Sequence, residues 1–145
     1  MLNGPVFGIR LPGCSYVVRP SAYALVRAED GRLAVVRERR GWFLPGGGIE
    51  GHEGPEGAAQ REAREECGLV IEARGIVARA TEIVHSPSGN GGIDKDSFFI
   101  EAVVLRPTSA TEPDHELVWL TAEEAARRLS QKSHRWAVGL PVSAL

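Results

Sequence analysis

From Ser21 to Ala28 apolar and polar positions alternate, the period of a strand with one face buried. Glu29-Asp30-Gly31-Arg32 is a turn signal, and Leu33 to Glu38 reads as the hairpin partner. Trp42-Phe43-Leu44 is a short apolar run stopped by Pro45 and three glycines. Pro55 to Cys67 predicts a helix: proline falls in its first turn, helix formers fill it, and Gly68 is placed to end it. Leu69 to Val84, rich in Val, Ile and Ala, predicts one or two strands, Ser97 to Leu105 a strong one, and Leu117 to Leu120 a short one. Thr121 and Glu124 have the spacing of a capping box, so a helix runs from there to about Leu129. Residues 134–145 carry no decisive pattern. Residues 86–92, all Ser, Pro, Gly or Asn, lie between two strand-like segments and read as a loop inside one domain, not as a linker.

The order is strands, helix, strands, helix. Hairpins in place of repeated βαβ units predict a mixed sheet with helices packed on its faces, an α+β fold or α/β/α sandwich. A length of 145 residues suits one domain spanning 1–145, large enough to bury a core without disulfide staples.

Charge changes this picture only when it is divided along the chain. The formal net charge is -2, which excludes binding of a nucleic-acid duplex by bulk positive charge. No apolar run approaches the roughly 18 residues of a membrane span, and the N-terminus lacks the pattern of a secretory signal. Cys14 and Cys67 form no disulfide framework or zinc cluster, and a reducing cytoplasm is the expected compartment. Residues 1–46, however, carry seven basic and three acidic side chains, whereas 47–69 carry six glutamates and two arginines. A basic stretch runs directly into an acidic block.

In a helix Glu62, Glu65 and Glu66 stand at i, i+3 and i+4, within roughly 100° of arc. Three carboxylates so placed repel one another, by a few tenths of a kcal/mol per pair when exposed and by more when partly buried. A solvated acidic face is the plain alternative. Against it, the glutamates lie beyond the first turn, where the helix dipole has faded. Ala59, Ala63 and Cys67 form an adjacent apolar stripe, and Pro45-Gly46-Gly47-Gly48 stands just upstream. A divalent cation with a preference for oxygen ligands (Mg²⁺, Mn²⁺ or Ca²⁺) would remove the repulsion.

Gly47, five residues, Glu53, seven residues, and then Arg61-Glu62-Ala63-Arg64-Glu65-Glu66-Cys67-Gly68-Leu69 resemble the Nudix box, GX5EX7REUXEEXGU, where U is a bulky aliphatic residue. Residues 47–69 match every fixed position, and the one soft departure is Ala63 at the first U. The flanking Trp42 to Glu50 run and Leu117 to Leu120 are also similar to family members. The resemblance implies a small MutT-like α/β/α sandwich. It further implies a hydrolase, dependent on Mg²⁺ or Mn²⁺, that cleaves the pyrophosphate linkage of a nucleoside diphosphate joined to another group. On this resemblance Glu65 and Glu66 ligate metal, Glu62 ligates it or acts as base, and Gly46 completes a site through its carbonyl. Glu53 and Arg61 would form a structural ion pair tying loop to helix.

Arg37, Arg39 and Arg40 precede the Trp42 run and are candidates to grip phosphate oxygens. For a carboxylate from outside the box Glu101 is favoured. It shares a strand face with Phe99, Val103 and Leu105, and an acid on an apolar face needs a partner or a metal. Glu116 and Asp114 are the alternatives before Trp119, as are Asp94 and Asp96 in the loop. His85 and Lys95 read as solvated loop residues, and the three tryptophans as packing. The expected substrate is a nucleoside triphosphate or related small nucleotide derivative, bound by a monomer or homodimer. The rival functions are a non-catalytic domain that senses a nucleotide or binds a partner, and a metal-dependent isomerase on the same fold.

Overall fold

The computed structural model describes residues 4–141; residues 1–3 and 142–145, the ends of the expected 1–145 domain, lie outside the described residues. A mixed eight-stranded sheet carries helices on both faces, as the strand and helix order predicts. Its strands are β1 (Val6–Phe7), β2 (Tyr16–Arg27), β3 (Leu33–Glu38), β4 (Gly41–Phe43), β5 (Gly46–Gly48), β6 (Leu69–His85), β7 (Gly92–Pro107) and β8 (Glu116–Leu120). The helices are α1 (Pro55–Cys67), α2 (Ala122–Arg128) and α3 (Lys132–Val138). The sheet runs β1-β6-β7-β2-β3-β4, with β5 also paired to β2 and β8 to β3. β2 and β7 pair in parallel over their length, and β6 and β7 are antiparallel.

Alternation along β2 divides the core in two. Ala22, Ala24 and Val26 face one side, with Ala58, Ala59 and Ala63 of α1. Tyr23 and Leu25 face the other, with Ala125 of α2 and Ala137 and Val138 of α3. The side of α1 that meets the sheet is made of small residues, so the helix lies close to it. Ala63, the departure from the family pattern, is fully buried there.

Of the expected strands, β2 and β7 begin earlier than the pattern predicts, at Tyr16 and Gly92. The segment from Leu69 is one strand, interrupted by irregular register at Val70/Ile71, Ala73/Gly75 and Ile76/Ala78. These bulges let a 17-residue strand bend around the core without ending. β7 begins at Gly92, well before Ser97, because β2 and β6 both pair with its glycine-rich start. Gly46–Gly48 is β5, paired to Ser21–Tyr23. The capping box of α2 forms in full, with Glu124 and Thr121 each holding the other's backbone amide.

Gly68 ends α1 in the left-handed region at φ 65°, and its carbonyl accepts from Thr108 N at 2.7 Å. A Cβ there would stand 2.6 Å from the Thr108 carbonyl oxygen. Gly68→Ala is therefore expected to lower the denaturant midpoint by the equivalent of about 1–2 kcal/mol. Gly57→Ala, in the same helix with open space around it, is expected to be neutral or to stabilise by a few tenths.

Candidate active site

The glutamates of α1 lie against β5. Gly46 N donates to Glu66 Oε1 at 2.9 Å. A Cβ on Gly47 would collide with Glu62 Oε2, so a residue with a side chain there would push the carboxylate aside. Glycine at this position is a demand of close approach, made by the glutamate itself.

Arg61 ties loop and helix together. Its Nε and Nη2 donate to the two oxygens of Glu53 at 2.6 and 3.0 Å, and Nη2 also reaches Gly48 O at 3.2 Å. Nη1 donates to Glu65 Oε1 at 3.0 Å and stands 3.7 Å from Glu62 Oε1. The bond from Arg61, reinforced by Glu50 N, holds the Glu53 carboxyl below its ordinary range.

A fourth carboxylate comes from the segment before β8. Thr111 N and Glu112 N both donate to Glu65 O at 3.1 Å, which fixes Glu112 over the C-terminal part of α1. Ligand atoms of Glu62, Glu65 and Glu112 lie within 4.8 Å of one another, as do those of Glu66, Glu112 and His115. His115 Nε2 stands 2.9 Å from Glu38 Oε2 and 3.7 Å from Glu66 Oε2, and Arg40 Nε donates to Glu38 Oε1 at 2.6 Å. The site is thus a layer of acids with Arg61 beneath it and His115 and Arg40 at its rim.

This layer is under-compensated. Burial first, and then the neighbouring carboxylates, raises Glu62 to about 7, against the pull of Arg61. Burial likewise raises Glu66 to about 8, although the Gly46 amide works the other way. Among the described residues Glu112 Oε2 and His115 Nδ1 are buried without a hydrogen-bond partner and stand 3.9 Å from each other. Four carboxylates, two held at high pKa and one with a free buried oxygen, are the donor set that a hard divalent cation takes.

The other candidates from the sequence are scattered. Glu101 does not join the cluster. It shares a face with Phe99 as expected, but that face packs toward α2 and α3, while Ile100 and Ala102 face α1. Its partner is Arg27, whose Nε donates to Glu101 Oε2 at 2.8 Å. Glu116 pairs with Arg37 at 3.3 Å, and Arg37 also lies over the Trp42 ring. Arg39 and Asp114 line a hollow beside the carboxylates, and Arg40 lines both this hollow and the main cleft. Gly46 enters the site through its amide. Glu112 and His115 are the residues that sequence reasoning passed over. They stand in the same acidic run as Asp114 and Glu116, and only the path of the backbone singles them out.

The cleft itself, about 490 Å³, runs from Glu62, Glu66 and Glu112 past Gly46 and Tyr23 to Lys95. Lys95 is not a solvated loop residue: it stands on β7, half-buried in this cleft.

A family model for the NUDIX domain matches residues 17–138. A Mycobacterium tuberculosis relative described as "Putative 8-oxo-dGTP diphosphatase 3" is 33% identical over 121 residues, covering 73% of this chain and 54% of the relative. The chain thus spans about half the length of the curated relatives it matches. Among solved structures, the MutT protein of Methanosarcina mazei Go1 aligns with a TM-score of 0.65 at 18% identity, over 87% of this chain and 93% of that one. The E. coli dihydroneopterin triphosphate pyrophosphohydrolase aligns at 0.62 and 20%, over 84% and 94%. At these identities the structures speak for the fold.

The raised carboxyls make a stability prediction. A folded-state pKa above the unfolded value means that the folded protein binds the proton more tightly. The stabilisation is complete below about 4.5 and is lost as pH rises through 7 to 8. Glu66→Gln is therefore expected to stabilise the metal-free protein at pH 8.5 by on the order of 1 kcal/mol or more, and to do little at pH 4. Denaturant midpoints of both proteins at the two pH values, in chelator, check this.

Proposed function

The chain belongs to the NUDIX domain family, and we propose that it is a divalent-cation-dependent hydrolase that cleaves a pyrophosphate linkage in a nucleotide derivative. The observation that carries this reading is that Glu112 joins two groups of ligand atoms beside the cleft, one with Glu62 and Glu65 and one with Glu66 and His115. The described relatives and neighbours are named for nucleoside triphosphates or similar compounds. A nucleoside triphosphate or related derivative is accordingly the proposed substrate class, and Mg²⁺ or Mn²⁺ the proposed cofactor. Among the described residues no helix is long and apolar enough to cross a membrane. Both cysteines are free, and burial raises the Cys67 thiol to about 12, so it takes no part as a nucleophile.

In this reading the four glutamates hold the cation. When bound, it offsets the charge of the phosphate oxygens and makes a coordinated water a better nucleophile. The rest of the chemistry falls to side chains. A pyrophosphate approaching the acids would be repelled by them, and the guanidiniums of Arg40 and Arg39 at the rim supply attraction on its open side. Water attacks phosphorus, the bond from that phosphorus to the bridging oxygen breaks, and a carboxylate of the cluster takes the water's proton. Arg61 and Glu53 keep the loop and helix in register. Gly46 and Gly47 let the backbone lie against the acids.

Turnover of a nucleotide panel is expected with Mg²⁺ or Mn²⁺ and to stop in excess EDTA; turnover in EDTA would contradict the metal reading. Glu66→Gln and Glu112→Gln are each expected to lower kcat on the order of 10²-fold. Glu101→Gln, remote from the cluster, should stay within about twofold in kcat while losing stability, because Arg27 loses its partner.

A further inference from the structure

The cleft has a second charged group of side chains. In register across β6, β7 and β2 stand Glu82, Lys95 and Arg19. Side chains at paired positions of adjacent strands share a face, so these three form a row of one negative and two positive groups. Arg19 and Lys95 line the same cleft as Glu62 and Glu66. Tyr23 lines it as well. Gly46, whose amide holds Glu66, is its partner in the sheet, and its Oη accepts from Lys95 Nζ at 3.1 Å.

Lys95 is poorly compensated where it stands. An ammonium has three donors, and among the described residues Nζ uses one, on Tyr23. Glu82 is committed elsewhere: its Oε1 accepts from Ser133 N at 2.8 Å, in the first turn of α3. Burial, with the charges of Arg40 and Arg19, brings Lys95 down to about 8 despite Glu82. Arg19 makes no ion pair among the described residues. On the same lining, Gln131 Oε1 is buried without a hydrogen-bond partner among the described residues.

Lys95, half-buried, is costly to desolvate, and the exposed Arg19 beside it adds repulsion. A neutral carbonyl from a ligand would satisfy the spare donors of Lys95 and leave the repulsion in place. An acid group satisfies both, and Gln131 is placed to accept from a hydroxyl or N–H beside it. We infer that Lys95 and Arg19 form an anion subsite in the cleft beside Tyr23, and that the substrate is a nucleotide derivative carrying a further phosphate or carboxylate away from the pyrophosphate that is cleaved. The inference rests on the reading that the glutamate cluster receives that pyrophosphate.

Matched probes test it. NADP⁺ differs from NAD⁺ by one phosphate, and UDP-glucuronate differs from UDP-glucose by one carboxylate. Affinities are measured by calorimetry with Ca²⁺ present, and the nucleotide is recovered and shown to be intact. The wild-type protein is expected to bind the acid-bearing member of at least one pair tenfold or more tightly, and the pair that discriminates tells phosphate from carboxylate. Lys95→Met, close in volume, is expected to bring the ratio to within about twofold, and Arg19→Gln, at an exposed position, to reduce it severalfold. Equal affinity within both pairs overturns the inference. So does a Lys95→Met protein that weakens both members alike and keeps the ratio, for Lys95 then serves only to hold Tyr23. Kinetics with Mg²⁺ separate the two readings. Discrimination in binding without cleavage of any pyrophosphate leaves the subsite standing and removes the hydrolase; cleavage without discrimination does the reverse.

Discussion

Arg61 is the interaction on which the site depends. One guanidinium binds both oxygens of Glu53, the Gly48 carbonyl and Glu65, and stands near Glu62. It thereby fixes the loop that carries β5 against the helix that carries the acids. A bidentate carboxylate bond gives this junction an orientation as well as an energy. Yet Arg61 is a single positive charge beneath Glu62, Glu65, Glu66 and Glu112. Burial first, and then the neighbouring carboxylates, hold the carboxyls of Glu62 and Glu66 high. The arrangement is stable as a protonated cluster or as a cation site, and poorly stable as a set of bare carboxylates.

The packing around the cluster follows from the same need for close approach. Ala58, Ala59 and Ala63 bring α1 down onto the sheet, and Gly46 and Gly47 leave room for the carboxylates above β5. Larger residues at either surface would lift the acids away from the cleft. The alanine at a position where the family pattern has a bulky aliphatic is therefore part of a tight contact, not a gap in the core. At the helix end, Gly68 turns the chain so that residues 108–112 return along α1, and two backbone amides on Glu65 O carry Glu112 into the site.

Local signals in the sequence mark local structure well. The β2–β3 hairpin, the start and stop of α1, the capping box of α2 and the spacing of Glu62, Glu65 and Glu66 can all be read from neighbouring residues. What cannot be read depends on partners distant in the chain. Alternation correctly groups Glu101 with Phe99, but which face of β7 meets α1 is set by the strand order, and that order sends Glu101 to Arg27. Lys95 looks like a loop residue until β2 and β6 extend the strand on either side of it. Glu112 is one of several acids before Trp119, distinguished by hydrogen bonds from its backbone to a helix more than forty residues earlier.

If the carboxylates form a cation site kept partly protonated when metal-free, binding of the cation releases protons. Calorimetric titration of the metal-free protein with Mn²⁺ at pH 7, in two buffers of different ionisation enthalpy, tests it most directly. The cation must displace the protons that Glu62 and Glu66 retain near neutrality. The account predicts saturable binding, with release of about one proton at pH 7 and less at pH 9. Binding without proton release, or no binding, would contradict it.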